Sequence, residues 1–120
     1  MYDHIGLKVK DLDASVRFYA AALAPLGHVL GSNDKSYAGV GPKGAPALWL
    51  YATNSAAGSG THLAFRAPDR AAVDRFYSAG LMAGGRDNGT PGLRINYSPD
   101  YYAAFLIDPD GNNVEAVFMK

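Results

Sequence analysis

Two histidines and one glutamate in this 120-residue chain, His4, His62 and Glu115, are of the right types to hold a metal ion. Two imidazole nitrogens and one carboxylate make a 2-His-1-carboxylate set, which grips a divalent cation on one side and leaves the other side open to water or substrate. Spacing along the chain does not by itself bring them together. The strands that must present them carry the argument. Asp3 to Val9 alternates, with Ile5, Leu7 and Val9 on one face and His4, Gly6 and Lys8 on the other, as in a half-buried strand. Leu63, Phe65 and Ala67 alternate in the same way with His62, Ala64 and Arg66. In the final apolar segment Val114, Ala116 and Phe118 share one face, and Asn113, Glu115, Val117 and Met119 share the other. If each apolar face packs on a helix, His4, His62 and Glu115 all project from the helix-free side.

An internal repeat supports that placement. His4 to Tyr19 (HIGLKVKDLDASVRFY) aligns without a gap on His62 to Tyr77 (HLAFRAPDRAAVDRFY) at an offset of 58, with six of sixteen positions identical, the histidines among them. Later, KSYAGVGPKGAPALWLYA (Lys35 to Ala52) corresponds to YYAAFLIDPDGNNVEAVF (Tyr101 to Phe118). Approximate twofold symmetry between halves would bring the two histidines towards one axis. The first-half counterpart of Glu115 is read as Leu48, which cannot bind metal, so three ligands remain.

Each half reads as strand, helix and a meander of about three strands. Asp11 or Asp13 caps the first helix, whose apolar positions Leu12, Val16, Tyr19, Ala20 and Leu23 keep the helical period until Pro25 and Gly27 stop it. Asp69 caps the second, with Val73, Phe76, Tyr77 and Leu81 on its buried side. The turns GPKG and DPDG each join two apolar segments, and Val29 to Gly31 and Arg94 to Tyr97 supply the remaining strand of each half. The fold expected is α+β, one domain of two modules at about 1–52 and 61–120, with an Ala/Gly/Ser-rich linker at 53–60. A half of this size is marginal alone, so the two share a core.

Composition narrows the function. Lys plus Arg and Asp plus Glu balance at 11 each, which argues against a nucleic-acid partner. The longest apolar run, Ala45 to Ala52, is too short for a bilayer, and MYDHIG lacks the layout of a signal peptide, so a cytoplasmic protein without a membrane partner is expected. The absence of cysteine removes thiol chemistry. The GSG segment around Ser59 has neither nucleophile-elbow spacing nor a phosphate-loop lysine.

The opening DHIGLKVKDLDASVRFY, the mid-chain THLAFRAPDRAAVDRFY and the closing FLIDPDGNNVEAV resemble the signatures of the vicinal oxygen chelate superfamily. That group includes glyoxalase I, extradiol dioxygenases, and the fosfomycin- and bleomycin-resistance proteins. The resemblance implies paired βαβββ modules forming a cupped mixed sheet with helices on the outer face, and a divalent metal (Zn, Mn, Fe or Ni) on His4, His62 and Glu115. It also implies a homodimer, a small-molecule substrate, and lyase, transferase or dioxygenase chemistry. Leu48 stands where glyoxalase I-like isomerases carry a fourth ligand.

On the ligand face Lys8 and Arg66 would attract an anionic substrate or form a solvated rim. The segment from Gly84 to Tyr102 is read as the specificity loop, with Arg94, Asn96, Tyr97 and Tyr101 as substrate contacts. Trp49 and Tyr51 are assigned to the core, and His28 to a helix cap or the surface. No residue is singled out as the catalytic acid or base. Two other readings are open: Glu115 paired with Arg66 or Lys8 in a buried ion pair, and a metal-free protein that sequesters a small molecule, as the bleomycin-resistance branch does. A degenerate module serving only interaction is the third.

Overall fold

The computed structural model describes residues 1–54 and 60–120; positions 55–59, with most of the expected linker and the GSG segment, lie outside the described residues. The first half runs β1 (Ile5–Val9), α1 (Leu12–Leu23), a 3-10 turn (Ala24–Leu26), β2 (Val29–Asn33), β3 (Tyr37–Gly41) and β4 (Leu48–Ala52). The second runs β5 (His62–Arg66), α2 (Arg70–Met82), β6 (Arg86–Leu93), β7 (Tyr102–Ile107) and β8 (Asn113–Phe118). The strands form two four-stranded sheets, ordered β1-β4-β3-β2 and β5-β8-β7-β6. In each, the first strand pairs parallel to the last and the other pairings are antiparallel. The fold is therefore α+β with two βαβββ modules.

Local chemistry sets the helix ends. The Asp11 carboxylate accepts from the Ala14 N–H and that of Asp69 from the Ala72 N–H, so Asp11 rather than Asp13 is the first cap. Pro25 in the 3-10 turn and Gly27, at φ +95°, end the first helical segment. The strand expected at Arg94 to Tyr97 is instead a turn closed by the Tyr97 N–H on the Arg94 carbonyl, and β6 lies earlier, at Arg86–Leu93. Its two glycines and one proline hide it: RDNGTPGL carries no alternating apolar face.

Leu7, Val9, Val40, Leu48 and Leu50 of the first sheet and Leu106, Val114 and Ala116 of the second are buried on the helix side. The halves share this core through their helices. α1 packs on α2, and fully buried Phe18 sits where Gly80 and Gly85 carry no side chain; a Cβ there would come within 3.3 Å and 2.4 Å of its ring. Phe18 was missed in sequence, and the expected Leu81 is in fact 37% exposed. Among the described residues no helix is long and apolar enough to cross a membrane.

Candidate metal centre

β5 and β8 run side by side with His62 opposite Asn113 and Ala64 opposite Glu115. The small Ala64 leaves the Glu115 carboxylate reachable from the neighbouring histidine. The His62 Nε2 lies 3.0 Å from the Glu115 Oε1. Glu115 is only 2% exposed, and its other oxygen accepts from the Tyr101 hydroxyl.

The tautomer of His62 follows from its other nitrogen. The Nδ1 lies 3.0 Å from the Asn113 carbonyl, which can only accept, so the Nδ1 carries a proton. If the imidazole carries no second proton, its Nε2 lone pair points at a carboxylate oxygen. Two acceptors at that distance repel unless a cation, a proton or a metal ion, lies between them. A histidine held through Nδ1 so that Nε2 is free to ligate is the arrangement metal sites use to orient a ligand. His62 and Glu115 thus fit a divalent cation both in donor type and in the contact they leave unmet.

His4 shares half of this arrangement. Its Nδ1 is 2.7 Å from the Asp3 carboxylate, and its side chain is exposed. Yet among the described residues the chain gathers no group of three ligating side chains, so His4 does not join His62 and Glu115 within one chain. Lys8 and Arg66 are exposed on the helix-free faces of β1 and β5, and neither pairs with Glu115 among the described residues. Its buried carboxylate is held instead by the Tyr101 hydroxyl and by the His62 contact once a proton or metal ion closes it.

Around the pair, Phe105 stacks on His62 at 6.3 Å, and the Arg94 guanidinium lies 5.4 Å from the Phe105 ring centre. Arg94 is tied down by the Gly92 and Thr90 carbonyls. The Tyr97 ring meets Tyr101 edge-on at 5.0 Å. Of the four expected substrate contacts, Arg94, Tyr97 and Tyr101 thus border the pair, and Asn96 is exposed in the turn beside them. Phe105 escaped notice because YAAFLI is apolar throughout and shows no alternation.

A polar chain from the first half reaches this centre. The Tyr19 hydroxyl donates to buried Asp108, which also accepts from the Asn112 N–H and side-chain amide. Asn112 accepts from the Thr61 N–H, and the Asn113 N–H donates to the Thr61 carbonyl, which sets β5 against β8. Asp110 accepts from the Lys10 N–H and from Ser15 in α1.

The register corrects two sequence assignments. Gly6 lies opposite Trp49 as Ala64 lies opposite Glu115, so Trp49 rather than Leu48 is the counterpart of Glu115. Leu48 and Leu50 are buried in the core, which places Trp49 and Tyr51 on the helix-free face and not in the core. LWLYA is apolar at every position, so hydropathy could not reveal which side faced the helix. His28, partly buried, donates its N–H to the Leu23 carbonyl at the end of α1, and burial lowers its pKa.

Burial, then the bond to Glu115, pushes the Tyr101 phenol up to about 12. Its folded pKa lies above its unfolded one, so the stability it contributes is full below pH 10 and is lost as the pH rises towards 12. Ultraviolet titration should find a tyrosine ionising near pH 12, and Tyr101→Phe should remove that step. The same variant should weaken divalent-cation binding by about tenfold, the effect expected when a ligand loses its orienting partner.

The family profile described as the Glyoxalase/Bleomycin resistance protein/Dioxygenase superfamily matches residues 2–116. A glyoxalase/bleomycin resistance protein from Albidiferax ferrireducens is 31% identical, with 100% of this chain and 99% of that chain covered and a TM-score of 0.87. A family enzyme from Burkholderia phytofirmans, 18% identical over 98% of each chain, superposes at 0.75. The bleomycin resistance determinant encoded on the transposon Tn5, at 21% identity, covers 96% of this chain and 94% of its own at a TM-score of 0.65. The last two show the fold alone. No curated protein matches the chain. With its paired modules and the match across nearly its whole length, the chain belongs to the glyoxalase/bleomycin resistance protein/dioxygenase superfamily.

Proposed function

We propose that this protein is a divalent-metal-dependent enzyme of the glyoxalase/dioxygenase type, acting on a small oxygenated metabolite. The observation that carries the reading is the His62–Glu115 contact, two lone-pair donors 3.0 Å apart with the imidazole proton engaged elsewhere. A bound Zn, Mn, Fe or Ni ion would supply Lewis-acid or, for iron, oxygen chemistry. The chain itself holds Glu115 through Tyr101 and fixes His62 through Asn113 and Phe105. Arg94 adds positive charge beside them.

The third ligand in this reading is His4 from a second copy, in a homodimer. It is exposed, and its Nδ1 is occupied by Asp3, which leaves Nε2 for a ligand bond. The test is complementation. His4→Ala and His62→Ala variants should each lose stoichiometric metal, and a heterodimer of the two should recover one site in two. If both variants keep full metal content, the centre is refuted. If the mixed dimer recovers nothing although each wild-type dimer holds metal, the site is assembled within one chain.

The second reading, a metal-free protein that sequesters a small molecule, draws on the exposed aromatic side chains of the first sheet and on the likeness to the transposon-encoded resistance determinant. Equal ligand binding before and after chelation, with no metal in the purified protein, would favour it.

A further inference from the structure

On the helix-free face of the first sheet, rings lie over glycines. The Trp49 ring covers Gly39, where a Cβ would come within 2.7 Å of it. Tyr51 covers Gly6, with 3.0 Å to a Cβ, and Pro46 covers Gly31, with 2.8 Å. Each ring sits in β4 or in the turn before it; Gly6 and Gly39 lie in the strands that flank β4, and Gly31 lies one strand further out, in β2. A side chain at any of those three positions would push the rings up off the sheet. Tyr37 adds a fourth ring, 6.2 Å from Trp49.

The result is a ring-lined floor leading to His4, with Tyr37 and Trp49 tilted by 54° to each other and Asp3, His4, Tyr37, Pro46, Trp49 and Tyr51 lining a shallow cavity of about 500 Å³. Tyr37 and Tyr51 remain 39% and 42% exposed. Large apolar groups left open on one face mark a binding surface more often than chance. This floor also occupies the place where the second half keeps its carboxylate, since Trp49 is the counterpart of Glu115.

We infer that the floor stacks a planar ring of the ligand. An aromatic or heteroaromatic system gains from lying flat on Trp49 and Tyr51, whereas a puckered saturated ring of the same carbon skeleton makes only edge contacts there. That this ligand is a substrate rests on the proposed metal centre; that the floor selects planar rings does not.

Trp49 is the single tryptophan of the chain, so its indole N–H gives one resonance that reports on the floor. The experiment titrates chelator-treated protein with 2-naphthol and with its saturated analogue decahydro-2-naphthol. The expected result is a saturable shift with 2-naphthol, and affinity for the saturated analogue weaker by about tenfold, the size of an aromatic stacking preference. Gly39→Ala, which tilts the indole, and Tyr51→Leu, which removes an exposed ring, should each erode that preference while circular dichroism stays unchanged. Equal affinity for the two probes, or no shift with either, would overturn the inference. So would a resonance that responds to protein concentration but not to probe, because the floor would then be covered by a second copy. Metal is absent throughout, so this result and metal uptake can fail independently.

Discussion

Glu115→Gln should abolish divalent-cation uptake at micromolar metal and leave the fold standing. Loss of an orienting neighbour of a metal ligand costs roughly 10–100-fold in affinity, so loss of a ligand itself should exceed about 100-fold. Glutamine keeps the shape and can still accept the Tyr101 hydroxyl bond, while its amide can donate to the His62 Nε2. A contact that needs a bridging proton or metal ion in the wild-type chain becomes a neutral hydrogen bond. Thermal stability in chelator should therefore be retained or raised, because a buried ion is replaced by a neutral group with both partners satisfied. Calorimetric metal titration beside a melting curve separates the two effects. Undiminished metal binding would remove Glu115 from the centre. A collapsed melting temperature in chelator would show that its role is structural.

Phe18→Ala should be the most destabilising single truncation, costing about 3–5 kcal/mol in urea unfolding, the range for a fully buried aromatic reduced to alanine. Its ring is 0% exposed, meets Tyr19 edge-on at 4.9 Å and fills the space beside Gly80 and Gly85. No neighbour can move in easily, because those glycines have no side chains to extend. A domain of this size has about 5–15 kcal/mol in total, so the loss is a large share. Because Phe18 belongs to the first half and both glycines to the second, the variant also tests their coupling. One cooperative transition at lower urea is expected; two separated transitions would show that the halves unfold independently.

The fold was readable because its signals were local and duplicated. Asp11 and Asp69 stand at the same place in the repeat and cap both helices, and the alternation in β1 and β5 put the histidines on the correct face. Reading failed where composition was uniform. LWLYA and YAAFLI have no polar member to show orientation, so Trp49, Tyr51 and Phe105 were misplaced or missed. Strand register, not sequence, makes Trp49 and not Leu48 the counterpart of Glu115. RDNGTPGL looked like loop because its pairing with β7 is irregular, and glycine and proline are poor strand formers. The centre was half legible: period-two counting placed Glu115 on the face of His62, but no local pattern can say whether His4 meets them in the same chain.

The bonds from Tyr19 through Asp108 and Asn112 to Thr61 give the first half a say in the geometry of the second. The strands that present His62 and Glu115 are aligned by a turn whose buried carboxylate is anchored on the other module's helix. The two modules are therefore poor interchangeable parts. A chimera that takes its first module from a relative would have to import a matching phenol for Asp108, or the graft would fold with its histidine and glutamate out of line.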